Sequence, residues 1–225
     1  MTIAEMHIEF KVGLDKTDSL NYPNFEPEEI DLWLNKAQDK FVKQRYSHDV
    51  RDETFEETQK RTDDLRETII QTMIEPTAPT GAEKPDGVLF ELPQDYWFAI
   101  NEECEIRYMD CNGSLVTDRV GVKVIQHDDY NKIIKDPFNK PDRNQIVRLM
   151  HQNFSELISD GSLSIDKYFL RYLKEPITMS LSEGIDCELA NHTHTEIVTM
   201  AVGMALENTA NPRFQTHMVE QMSQE

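Results

Sequence analysis

Apolar positions in the first third of the chain recur at helical spacing. Over residues 1–20, Ile3, Met6, Phe10 and Leu14 fit one helical stripe, while Met6, Ile8, Phe10, Val12 and Leu14 also alternate as in a strand. The stripe favours a short helix. After NYPNFEP, the segment PEEIDLWLNKAQDKFVKQRYS opens with Pro27 at a first-turn position and Glu28, Glu29 and Asp31 near the positive end of the helix dipole. Ile30, Leu34, Ala37 and Phe41 recur along it with Trp33 beside them, and Lys43 and Arg45 close it, which predicts an amphipathic helix. In DETFEETQKRTDDLRETIIQTMI the apolar positions Phe55, Leu65, Ile69 and Met73 are sparser and predict a second helix, exposed along its first half.

The loop EPTAPTGAEKPDG, rich in proline and glycine, marks a boundary, and beyond it the pattern turns to short β-like runs. GVLFELP, EIRYMDC and SLVTDRVGVKVIQ read as strands, the last two joined by the hairpin signal Asn112-Gly113. QHDDYNKIIK predicts a helical turn or two. QIVRLM, FSELIS and SLSIDKYFLRYLKEP continue the β pattern, with Ser159-Asp160-Gly161 as a turn and Pro176 closing the last strand. A final helix begins at Thr193, whose spacing to Glu196 is that of a capping box, and Ile197, Met200, Ala201, Met204 and Ala205 form one apolar face ended by Asn211-Pro212. The tail beyond spaces Phe214, Met218 and Met222 four apart. It has too little core to fold alone, so Pro212, Arg213, Phe214, Met218 and Met222 are candidate docking residues for a partner.

Composition narrows the classes. The 225 residues hold 42 Asp and Glu against 23 Lys and Arg, a formal net charge of -19, and a chain this acidic repels nucleic acid unless it carries a local basic face, which the sequence does not show. Three cysteines, Cys104, Cys111 and Cys187, are an odd set without CxxC spacing and read as reduced thiols. Glu5 and Glu9 interrupt the run a signal peptide needs, and no stretch reaches the roughly 18 apolar residues of a membrane span, so a soluble, unsecreted protein is expected.

Candidate chemistry is sparse. His192-x-His194 with Cys187 supplies three donors suited to zinc, but no second ligand cluster completes a tetrahedral set, and the H-x-E of His194 and Glu196 lacks the downstream P-C-x-x-C of the zinc deaminases. The acidic pairs Asp63-Asp64 and Asp128-Asp129 have the donors for a hard cation, yet adjacent helical residues do not face each other. Glycine-rich phosphate loops and nucleophile elbows are missing from the sequence. Aromatic residues at Tyr168, Phe169 and Tyr172 fit sheet packing better than base stacking in so acidic a chain.

Three separated stretches carry a resemblance. EMHIEFKVGLDKTDS with FEPEEIDLWLNKAQDKFVKQRYS resembles the start of virion proteins of crAss-like bacteriophages. LPQDYWF is similar to the L-P-x-D-[YF] of head-tail adaptor and tail tubular proteins of short-tailed phages. Tyr172-Leu173-Lys174-x-Pro176 followed by CELANHTHTEIVTMAVGMALE resembles their Y-L-x-x-P strand and final helix, with Ala190 where proline is usual. The resemblance implies a head-tail connector, a dodecameric neck ring stacked below the portal, bridging it to further tail proteins around the conduit through which double-stranded DNA passes unbound. It implies no catalysis and no cofactor, synthesis in the host cytoplasm and a place in the neck or tail of the virion. The expected fold is α+β, a helical bundle made from both chain ends with an inserted β-rich section: residues 1–80 helical, 81–180 β-rich, and 181–225 a helix and docking tail returning to the first helices. Another virion tail or cargo-gating component is the alternative, and a small metal-dependent enzyme centred on Cys187, His192 and His194 the different class.

Overall fold

The computed structural model describes residues 1–17, 25–47, 55–77 and 82–208, and the chain separates into two compact units, Met1–Thr68 with Pro176–Glu225, and Ile69–Glu175. In the first, α1 (Ile3–Thr17) buries Ile3, Met6, Phe10 and Leu14, the helical stripe of the sequence. Its start is a capping box: Glu5 N–H donates to Thr2 Oγ1 at 3.3 Å while Thr2 N–H donates to the Glu5 carboxylate at 2.9 Å. Helix α2 (Pro27–Ser47) has the predicted bounds and buries Ile30, Leu34, Ala37 and Phe41. After α3 (Phe55–Leu65), the last helix of this unit (named α5 below, Asn208 being its final described residue) packs on α1 and α2 through Ile197, Ala201 and Ala205.

The second unit is a seven-stranded mixed sheet. Its strands are β1 (Ile69–Ile74), β2 (Gly87–Glu91), β3 (Tyr96–Met109), β4 (Leu115–Val124), β5 (Gln145–His151), β6 (Phe154–Ile158) and β7 (Ser164–Lys174), in the spatial order β1-β7-β3-β4-β5-β6-β2. All neighbours are antiparallel except β4 and β5, whose parallel pairing needs a crossover; residues between them hold the short helix α4 (Tyr130–Ile133). Three register irregularities between β3 and β7 bend the sheet, and it curls into a half-barrel until Thr77 N–H, just past β1, donates to Leu89 C=O of β2 at 2.9 Å. Phe90, Cys104, Ile106, Ile146, Leu157 and Tyr168 fill the inner face. Behind β5 and β6, Val147, Leu149 and Ile158 pack on Ile133 and Ile134, so these two strands are buried on both faces, which is why QIVRLM is nearly unbroken in apolar character.

Several expectations are corrected. The helical bundle with a β insert is overturned: the largest single element is the mixed half-barrel sheet with its own core, and the helices are few. Residues 52–74 are not one helix. The helix stops at Leu65, a 3-10 turn spans Arg66–Thr68, and IIQTMI is β1, because β-branched Ile69, Ile70, Thr72 and Ile74 pair along β7 and that ladder outweighs the helical spacing of Leu65, Ile69 and Met73. The hairpin at Asn112-Gly113 forms, but only Gly113 is left-handed (φ 75°), so a longer turn closes it, with Gly113 N–H on Asp110 C=O at 2.9 Å. The capping box at Thr193 is not made. A 3-10 turn, Asn191–Thr193, precedes α5 (His194–Asn208), and Thr193 Oγ1 donates to Ala190 C=O at 2.8 Å.

Candidate functional site

The three residues offered as a metal centre are each engaged elsewhere. Cys187 Sγ donates to Gln38 Oε1 at 3.3 Å, and burial pushes its thiol up to about 11. His192 Nε2 lies 2.8 Å from Asp64 Oδ1, and the buried His194 donates from Nε2 to Leu189 C=O at 2.8 Å, which fixes its tautomer. Among the described residues no group of three or more His, Cys, Asp and Glu is placed to hold a metal ion. The acidic pairs divide in the same way: Asp63 is exposed, Asp64 is buried, and Asp129 accepts from Lys132 at 2.8 Å.

Asp64 is instead a structural hub. Arg45 Nε lies 3.1 Å from Asp64 Oδ2, and Arg45 Nη2 donates to both Glu196 oxygens at 2.7 and 2.9 Å, so one guanidinium joins α2, α3 and α5. Beside it an open depression of about 380 Å³ is lined by polar groups including Arg66, Glu67, Glu188, Asn191 and His192. It holds neither a thiolate nor an oriented hydroxyl nucleophile.

A second feature of this unit has no counterpart in the sequence reading. Asp31, Asn35 and Gln38 stand on successive turns of α2 and hold the segment 177–181 that returns from the sheet. Leu181 N–H donates to Asp31 Oδ2 (3.0 Å), Asn35 gives Nδ2 to Met179 C=O (2.9 Å) and takes Met179 N–H on Oδ1 (2.8 Å), and Gln38 Nε2 donates to Ile177 C=O (3.1 Å). His7 of α1 reaches the other Asp31 oxygen at 2.7 Å.

In the β unit the aromatic residues serve the core. Tyr168 donates to Glu102 Oε2 at 2.7 Å, Arg148 Nη2 donates to Glu102 Oε1 at 2.7 Å, and all three side chains are buried, Tyr168 to 1% exposure. Phe169 lies on the outer face with the Arg119 guanidinium 3.6 Å above its ring. LPQDYWF and the Tyr172 to Pro176 stretch meet: Tyr172 donates to Asp95 Oδ1 at 2.9 Å, Glu175 N–H to Asp95 C=O at 2.8 Å, and the Tyr96 and Tyr172 rings pack at 5.8 Å. Burial and then the Asp95 bond push the Tyr172 phenol up to about 12. The shared motifs are thus a clasp between the start of β3 and the end of β7.

What remains for partners is surface. The β3–β4 hairpin ends in Met109 and Leu115, directly opposite one another and 67% and 63% exposed, and Phe138 stands 94% exposed in the crossover. Ile8 and Val12 are exposed on α1. The docking residues Pro212, Arg213, Phe214, Met218 and Met222 lie outside the described residues. No described helix is long and apolar enough to cross a membrane.

The chain is acidic, its polar clusters tie elements together, and exposed apolar residues emerge at a hairpin tip. Comparison with known proteins gives the family: the profile of phage tail ring protein 3/4 matches residues 1–214, and the chain belongs to that family. Ring protein 3 of Bacteroides phage crAss001 is 29% identical over an aligned length of 204, which takes in 82% of this chain and 86% of the relative.

Proposed function

We propose that the chain is a subunit of a dodecameric head-tail connector ring in the virion neck, stacked below the portal and joining it to the tail around the genome conduit. The match of the ring protein family across residues 1–214 carries this reading. The net charge of -19 supports it physically, since acidic walls let double-stranded DNA slide without gripping it. Residues 212–225 are the segment proposed to reach the portal or a neighbouring ring. No cofactor has a part in this role, and the protein acts by position instead of by turnover.

Light scattering after size exclusion tests it, with the full chain alone and mixed with the portal protein of the same phage. A mass that is a ring multiple of the 26.2 kDa chain, alone or on the portal, is expected. A monomer indifferent to the portal would sink the connector reading and favour another site in the virion.

A further inference from the structure

Among the described residues several strand edges of the β unit lack a strand partner, β2 on the side away from β6 included, and two of them are alike in length. Strand β4 pairs β3 from Leu115 to Gly121 but meets β5 only from Gly121 to Val124, so residues 115–120 have one side without a strand partner. Strand β1 pairs β7 along Ile69–Ile74, and no other strand among the described residues pairs with it. The two open runs are equally long, six residues each. Four of the six on β4, Leu115, Thr117, Asp118 and Arg119, are exposed.

Edges of this kind invite pairing with another chain, and soluble proteins blunt them with charge, proline or bulges. β1 has none of these. In a chain that is 29% charged, IIQTMI carries no charged residue, no proline and no glycine. Identical subunits close a ring only through two different, complementary patches, because a self-complementary patch stops at a two-fold dimer. Two distinct open edges on one sheet are such a pair.

Resting on the ring reading above, we propose that β1 of one copy adds to the open edge of β4 of the next, so that the sheet runs from subunit to subunit around the ring. Side-chain alternation fits this. On the outer face β4 presents Leu115, Thr117 and Arg119, and β1 presents Ile69, Gln71 and Met73. With the faces aligned, a centred parallel pairing sets Gln71 beside Thr117 and Ile69 beside exposed Leu115; an antiparallel pairing shifted by one residue from the centre keeps Gln71 beside Thr117 and sets Met73 beside Leu115. Asp118 and Arg119 meet no like charge on β1.

The test uses the full-length chain with Cys111→Ser, leaving only the buried Cys104 and the partly buried Cys187, and adds Gln71→Cys, Thr117→Cys or both. A short bis-maleimide is applied, and light scattering is run on the same samples. The double variant should give a covalent ladder in steps of the 26.2 kDa chain extending beyond the dimer, and each single variant no ladder. A ring mass without a ladder in the double variant overturns the edge pairing and leaves the ring reading standing. A monomer alone and on the portal, with no ladder, overturns both. Dimers from either single variant would mean a two-fold contact and overturn the proposal. As a check independent of folding, Gln71→Lys with Thr117→Lys should reduce the mass to the monomer, and Gln71→Lys with Thr117→Glu should restore the ring.

Discussion

One polar series of the helical unit is spread along α2, where Asp31, Asn35 and Gln38 each hold a different point of the returning segment 177–181. One in the β unit is concentrated: Glu102 alone takes both Arg148 and Tyr168 in the middle of an apolar core. In the first, the loss of one partner leaves its neighbours bonded. In the second, the loss of one carboxylate strands a charge and a phenol together. The chain holds two tryptophans, Trp33 on α2 and Trp97 on β3, so each unit has its own fluorescent reporter once the other is replaced by phenylalanine.

The largest expected effect is therefore Glu102→Ala, which leaves Arg148 buried and unpaired and should destabilise the β unit by about 3–5 kcal/mol. The urea midpoint read from Trp97 should fall well below that read from Trp33; a common shift at both reporters would mean that the units unfold as one. Alkali comes next. Burial raises the Cys104 thiol from 9.0 to about 12, and burial with the Asp95 bond raises Tyr172 from 10.0 to about 12. Both groups stay neutral in the folded state while the unfolded chain releases their protons earlier. Stability is then full below pH 9 and falls between pH 9 and 12. The Trp97 transition should weaken over that window more than the Trp33 transition, whose unit holds one such group, Cys187.

Asn35→Ala removes one side chain from the α2 series and leaves the Met179 N–H and C=O without it, an expected loss of about 1–3 kcal/mol. Amide exchange should quicken at residues 177–181 and hardly change in β3; equal quickening in both would dissolve the contrast between the units. The smallest effect belongs to Gly113→Ala at the hairpin tip. Its added Cβ meets nothing within 4 Å, so only the left-handed backbone opposes it, about 1 kcal/mol. Trp97 should report that change and Trp33 should not.

The sequence was most legible where one periodicity ran without a rival. Ile30, Leu34, Ala37 and Phe41 with Pro27 marked α2 to its ends, and the alternation in β4 and β7 marked strands. It misled at 65–74, where Leu65, Ile69 and Met73 keep a helical interval through a real change to strand; the cluster of β-branched residues was the signal. Capping chemistry misled in both directions. Thr2 and Glu5 make the reciprocal bonds, whereas at Thr193 the hydroxyl turns to Ala190 and the Glu196 carboxylate to Arg45. The α2 polar series was invisible because Asp31, Asn35 and Gln38 look like a solvated face until their partners, remote in sequence, arrive. The open edges were equally hidden, since pairing on one side and not the other is a property of topology and not of any single strand.

The chain enters the β unit at Ile69 and leaves it just past Leu173, and these two residues are partners across β1 and β7. Entrance and exit are therefore one strand spacing apart, about 5 Å. A segment whose ends meet in this way has the geometry of a cassette, inserted in sequence between the two stretches of the helical unit through a single narrow seam.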